Sequence, residues 1–136
     1  MPRMIFVNLP VTDLKKSMTF YQAIGFTNNP QFTDTTAACM VWSETINVML
    51  LTLDKWRTFT KRPIPPNISS EVMLAIGCDN RTQVDEMNTA AAAHGGTADI
   101  NPKQEHGFMY SRSLADPDGH VWEPMWMDMS AMPAAK

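Results

Sequence analysis

Residues 61–67 read Lys-Arg-Pro-Ile-Pro-Pro-Asn, and this stretch constrains the chain more than any other. Three prolines in seven residues fix φ and remove backbone donors, so neither a helix nor a central strand can pass through. The 136-residue chain is thereby cut near its middle. Each half must build its own elements, and both must share a core, because either alone is marginal in size for a stable fold.

The two halves carry the same order of signals. Residues 4–11 are short, apolar and β-branched, which predicts a strand. Asp13 or Thr12 can cap a following helix whose apolar positions Leu14, Met18, Tyr21 and Ile24 fall at helical spacing, with Gly25 as its stop. Strands are expected over 27–32, 37–43 and 46–52, the last two joined by a short turn at Glu44-Thr45. After the prolines, 71–78 reads as a strand and 81–94 as a helix closed by Gly95-Gly96. Strands at 98–101, 108–114 and 120–127 follow, with Asp116-Pro117-Asp118-Gly119 as a tight turn before the last. The expected architecture is α+β: two βαβββ modules forming a curled mixed sheet around a cavity. The first module covers 1–60, the linker 61–68, the second module 69–128 and a tail 129–136.

Alternation assigns faces. In 71–78, Val72, Leu74 and Ile76 are aliphatic and suit packing under the second helix, which turns Met73 toward the cavity together with Phe6. In the last strand, Glu123 shares parity with Val121 and Met125, while Trp122 and Trp126 take the opposite, helix-covered face. Tyr110 and Arg112 share one face of the neighbouring strand, either with Glu123 or away from it; alternation leaves this open.

Charge and composition exclude whole classes. A net charge of −3 without a basic stripe argues against nucleic acid and anionic membranes as partners. No apolar run approaches the roughly 18 residues of a membrane span. With no secretory leader legible, a cytoplasmic protein is expected, with Cys39 and Cys78 as buried free thiols rather than a disulfide. His94, His106 and His120 each read more simply as helix-end, loop and turn residues than as metal ligands.

The segments VTDLKKSMTFYQAIGF and DPDGHVWE, in this layout, resemble the vicinal oxygen chelate superfamily of glyoxalase I, bleomycin- and fosfomycin-resistance proteins and extradiol dioxygenases. NLPV, TAACMVWSE and GFMYSRSLADPDGHVWEPMWMD look like a branch of bacterial proteins taken to be lactoylglutathione lyases. The resemblance implies a cavity with one divalent metal held by four strand residues, and often a homodimer. Carried onto this chain, the four ligand positions become Phe6, Leu50, Met73 and Glu123, and three of them are apolar. A divalent ion needs nitrogen, oxygen or thiolate donors, so no cofactor is expected; if one bound, it would be a single divalent metal at Glu123.

The expectation is therefore a cavity that binds a small, largely apolar molecule, contacted by Phe6, Asn8, Leu50, Met73, Tyr110, Arg112 and Met125. Glu123 is the candidate catalytic residue, buried among Phe6, Leu50 and Met73. The alternatives are a metal-dependent lyase or dioxygenase, and metal-free acid/base catalysis by Glu123.

Overall fold

The structure, a computed structural model, describes residues 2–131. The first half runs β1 (Ile5–Val11), α1 (Leu14–Ala23), β2 (Thr27–Asn29), β3 (Ala37–Val41), β4 (Ile46–Thr52) and α2 (Leu53–Phe59). The second runs β5 (Leu74–Gly77), α3 (Arg81–Ala93), β6 (Thr97–Ala98), β7 (Gln104–Glu105), β8 (Met109–Ser111), β9 (Leu114–Ala115) and β10 (Val121–Met127). A 3-10 turn at Met129–Ala131 opens the tail, and 132–136 lie outside the described residues.

The helices start where their caps dictate. Asp13 accepts the Lys16 N–H at 3.1 Å and Asn80 accepts the Gln83 N–H at 2.8 Å, so each satisfies one of the free donors of a first turn. Thr52 does the same for α2, accepting from Lys55 N–H at 3.2 Å. The sequence does not announce that helix, which begins on the residue after a strand with no loop between them.

Each half forms its own mixed sheet. The first has the order β1-β4-β3-β2, with β1 parallel to β4. In the second, β10 is central, parallel to β5 on one side and antiparallel to β8 and β9 on the other. The sheet is thus divided into two hydrogen-bonded parts. Strands β1 and β5 form no ladder with each other. What joins the halves is a common core. Leu9, Val48 and Leu50 of the first sheet pack with Phe20 of α1 and with Ile24, which caps its C-terminus, and the same cluster runs on into Ile76, Met87, Ala91, Leu114 and Trp122. Tyr21, Phe26 and Trp122 meet edge to face across the boundary, with ring centroids 5.3 to 6.1 Å apart.

Several strands are shorter than expected, for identifiable reasons. Pro30 ends β2, and the expected strand 27–32 finishes as a 3-10 turn, Pro30–Phe32. The expected strand 108–114 is broken into β8 and β9. Arg112 N–H donates to the Pro124 carbonyl at 3.2 Å, but Pro124 has no N–H to return, so the ladder lapses at that pair.

Candidate functional site

A groove of about 550 Å³ opens between the two sheets. One wall is the free edge of β1, from Val7 to Pro10, and the start of the α1 turn at Thr12. Leu53 and Trp56 of α2 close a second side, and the proline-rich linker forms a third with Ile64, Pro65 and Pro66. Val72 and Leu74 lead into β5, and the turn from Pro117 to Val121 completes the lining. The walls are mainly hydrocarbon, with hydroxyls and amides interspersed, as small-molecule sites commonly are.

The turn is held in place by bonds that cross between halves. Asp118 Oδ1 accepts from Thr12 N–H at 3.0 Å and from its hydroxyl at 2.8 Å. His120 Nε2 lies 2.7 Å from the Pro10 carbonyl oxygen, which can only accept, so this nitrogen carries the proton and donates. Beneath them Asp116 is buried and accepts three bonds, from the N–H groups of Asp118 and His120 and from the Tyr21 hydroxyl at 2.6 Å. Trp122 Nε1–H donates to the same hydroxyl at 3.0 Å. Burial pushes the Asp116 carboxyl above the usual aspartate range, against the pull of His120 and these donors. Burial, and then the nearby Asp116, raise the Tyr21 phenol well above its ordinary value.

Two details of the lining stand out. Trp56 Nε1–H is buried and has no acceptor, alone among the buried side-chain nitrogens and oxygens of the described residues. An unmet donor of this kind costs about 1–3 kcal/mol. Gly119 has φ +88°, and a Cβ there would sit 2.0 Å from the Asn67 carbonyl oxygen. The turn and the linker touch only because this residue has no side chain.

The residues expected to meet in the cavity are distributed differently. Asn8 lines the groove. Phe6 and Met73 are 51% and 56% exposed and are not enclosed together. Ile76 packs in the core with Met87 and Ala91 of α3, Leu74 packs against that core while also lining the groove, and Val72, expected beside them, is exposed on the groove because β5 begins only at Leu74. Leu50 is a correction. It is 0% exposed, paired with Leu9 in the β1–β4 ladder, and packs in the α1-facing core. The face shared with Phe6 and Asn8 is given in β4 by Asn47 and Met49, their partners in the ladder.

Tyr110 and Arg112 are directed at α3 rather than toward Glu123. The Tyr110 hydroxyl donates to Asp85 at 2.6 Å, and Arg112 bonds Asp85 at 2.8 Å and Asp99 through two nitrogens at 2.9 and 2.6 Å. Glu123 and Met125 pair with Ala75 and Gly77 in the β10–β5 ladder and are half-buried on the uncovered face of the second sheet. Glu123 is therefore not enclosed by Phe6, Leu50 and Met73, and among the described residues it makes no ion pair. The groove residues from the linker and α2 were missed. An isoleucine set among prolines, and Leu53 and Trp56 at helical spacing, were the available signals.

The donor set does not fit a catalytic divalent ion. Of the four corresponding positions only Glu123 offers an oxygen, and among the described residues no three His, Cys, Asp or Glu side chains come together as a metal site. No helix among the described residues is long and apolar enough to cross a membrane. Cys39 and Cys78 are free thiols; Cys39 is buried, Cys78 partly so, and burial pushes the Cys78 thiol up to about 11.

Residues 3–43 match the bleomycin resistance protein-like N-terminal family. No curated protein matches the chain. Among solved structures, a hypothetical protein from S. aureus shares 25% identity over 93% of this chain and 95% of its own, with a TM-score of 0.76. A glyoxalase/bleomycin resistance protein/dioxygenase family enzyme from Burkholderia phytofirmans PsJN has 18% identity and a TM-score of 0.74, over 93% of this chain and all (100%) of its own. A genomically encoded fosfomycin resistance protein from Listeria monocytogenes has 18% identity and a TM-score of 0.65, over 95% and 94% of the two chains. The fold is the one seen in solved structures of glyoxalase/bleomycin resistance/dioxygenase proteins, and the first module matches the bleomycin resistance protein-like N-terminal family by sequence, in keeping with the superfamily the chain resembles.

Proposed function

We propose that the chain binds a small, largely apolar molecule in the groove between β1, α2, the linker and the 117–121 turn, without a catalytic divalent metal. The observation that carries this reading is the groove itself: about 550 Å³ of mainly apolar wall, with Trp56 among its lining residues. The hydrocarbon walls supply affinity for such a ligand. The missing metal donors favour binding over lyase or dioxygenase chemistry.

The test is native mass spectrometry of the purified protein, followed by titration with whatever co-purifies. The expected result is an organic adduct whose affinity falls about tenfold or more in Trp56→Ala, the effect of losing a buried contact of about 1.4 kcal/mol. Turnover of the methylglyoxal–glutathione hemithioacetal that a chelator abolishes would overturn the reading.

A second reading rests on Glu123. Its carboxylate is half-buried and free of ion pairs among the described residues, beside Met125 on an uncovered sheet face, and so is available as a metal-free acid or base. An activity lost in Glu123→Gln with ligand binding intact would favour it.

A further inference from the structure

Resting on the reading that the groove holds an apolar ligand, we infer that the groove selects by charge, taking an apolar or aromatic body that carries an amine in preference to an anionic one. The lining contains two carboxylates, Glu71 and Asp118, and no lysine or arginine. Neither carboxylate is in an ion pair among the described residues. The partners of Asp118 are the backbone N–H and hydroxyl of Thr12 and the Ser17 hydroxyl, neutral donors that hold its charge in place without cancelling it. His120, the remaining titratable side chain of the lining, is occupied with the Pro10 carbonyl. Arg62 stands outside, in the exposed depression that shares Pro65, Ser69, Ser70 and Glu71 with the groove.

Charge in such a place counts for more than on an open surface. The apolar walls lower the local dielectric around half-buried Asp118, so a ligand ammonium gains most from Asp118 and less from exposed Glu71, and a ligand carboxylate or phosphonate meets two like charges with no lysine or arginine among the lining residues. The indole of Trp56 adds to the same preference, since its ring face attracts cations. Selectivity here follows from what the lining leaves out as much as from what it holds.

Three probes with one naphthalene body test this: 1-naphthylmethylammonium, 1-naphthalenemethanol and 1-naphthoate. Each is titrated at pH 7.5 and low salt into the full-length protein. The readout is the Trp56 indole N–H resonance, assigned by its loss in Trp56→Phe. The cation should bind about fivefold more tightly than the alcohol, and the alcohol more tightly than naphthoate. Glu71→Gln, at an exposed position, should narrow the cation-to-anion ratio by about threefold, and half-molar salt should do likewise. Naphthoate binding as tightly as the amine would overturn charge selection while leaving the apolar groove standing. Failure of all three probes, the neutral alcohol included, would remove the groove reading and this inference together.

Discussion

The two modules repeat one topology with different cohesion. In the first, β1, β3 and β4 are five to seven residues long, and the stretch Ala37–Met40 is buried throughout. The ion pair recorded there, Arg57–Asp54, lies within α2 and ties no two elements together. In the second, β6 to β9 have two or three residues each, and the pieces are held by side-chain bonds. Arg112 links β8 to α3 and to the loop at Asp99. Arg81 pairs with Glu105 of β7 and lies over the rings of Tyr110 and Trp126, about 5 Å from each centroid. Both modules share the apolar core, but the second adds to its part of that core a set of partly exposed ion pairs, so salt should weaken the second more than the first.

The largest expected effect lies in the apolar module. Leu50→Ala should cost about 3 kcal/mol in urea unfolding, with little dependence on salt, because a fully buried side chain leaves a cavity. A cost under about 1 kcal/mol would mean that Leu50 faces open space after all.

Next comes Arg112→Met. Its partners Asp85 and Asp99 are 51% and 37% exposed, so the cost is discounted for solvent screening to about 1–2 kcal/mol. The effect should shrink in high salt, where that of Leu50→Ala should not. It should also vanish in acid. The Tyr110 hydroxyl and then the Arg112 guanidinium lower the Asp85 pKa, and Arg112 lowers that of Asp99. Stability from depressed carboxyls is present above the unfolded pKa of about 3.9 and is lost as pH falls through the folded values. Wild type and variant should therefore begin to converge below about pH 4 and meet only once the pH is below the depressed folded values. Loss of equal size at all pH values would assign Arg112 a packing role only.

The smallest effect is expected at Glu123. Half-buried, without an ion pair and not enclosed by Phe6, Leu50 and Met73, it should tolerate Glu123→Gln within about 0.5 kcal/mol. A larger gain or loss in the melting curve would show that the uncovered face of the second sheet is occupied in solution.

What could be read from the chain beforehand divides along physical lines. The cap at Asp13 and the 116–119 turn are local signals, and each lies where expected. The parity of β10 was legible because Trp122 and Glu123 differ so sharply. The parity of β4 was not, since Val48-Met49-Leu50-Leu51 is apolar at every position and period-two alternation has nothing to grip. The direction of Tyr110 and Arg112 depended on Asp85 and Asp99, partners far along the chain. The lining of the groove is not legible in the chain because it is made where segments converge, and a proline-rich connector shows its role as a wall only when folded.

Gly119 illustrates how little material fixes that wall. The hydrogen on its α-carbon occupies the place where any other residue would thrust a methyl group into the Asn67 carbonyl, and its φ of +88° is strained for every L-residue. Position 119 therefore has a tolerance of one amino acid on two independent grounds. Even alanine would have to displace the connector from the turn and so alter the shape of the groove, although glycine itself touches a ligand with no chemistry of its own. In a saturation library the site would score as sensitively as a binding residue, and the cause would be steric clearance.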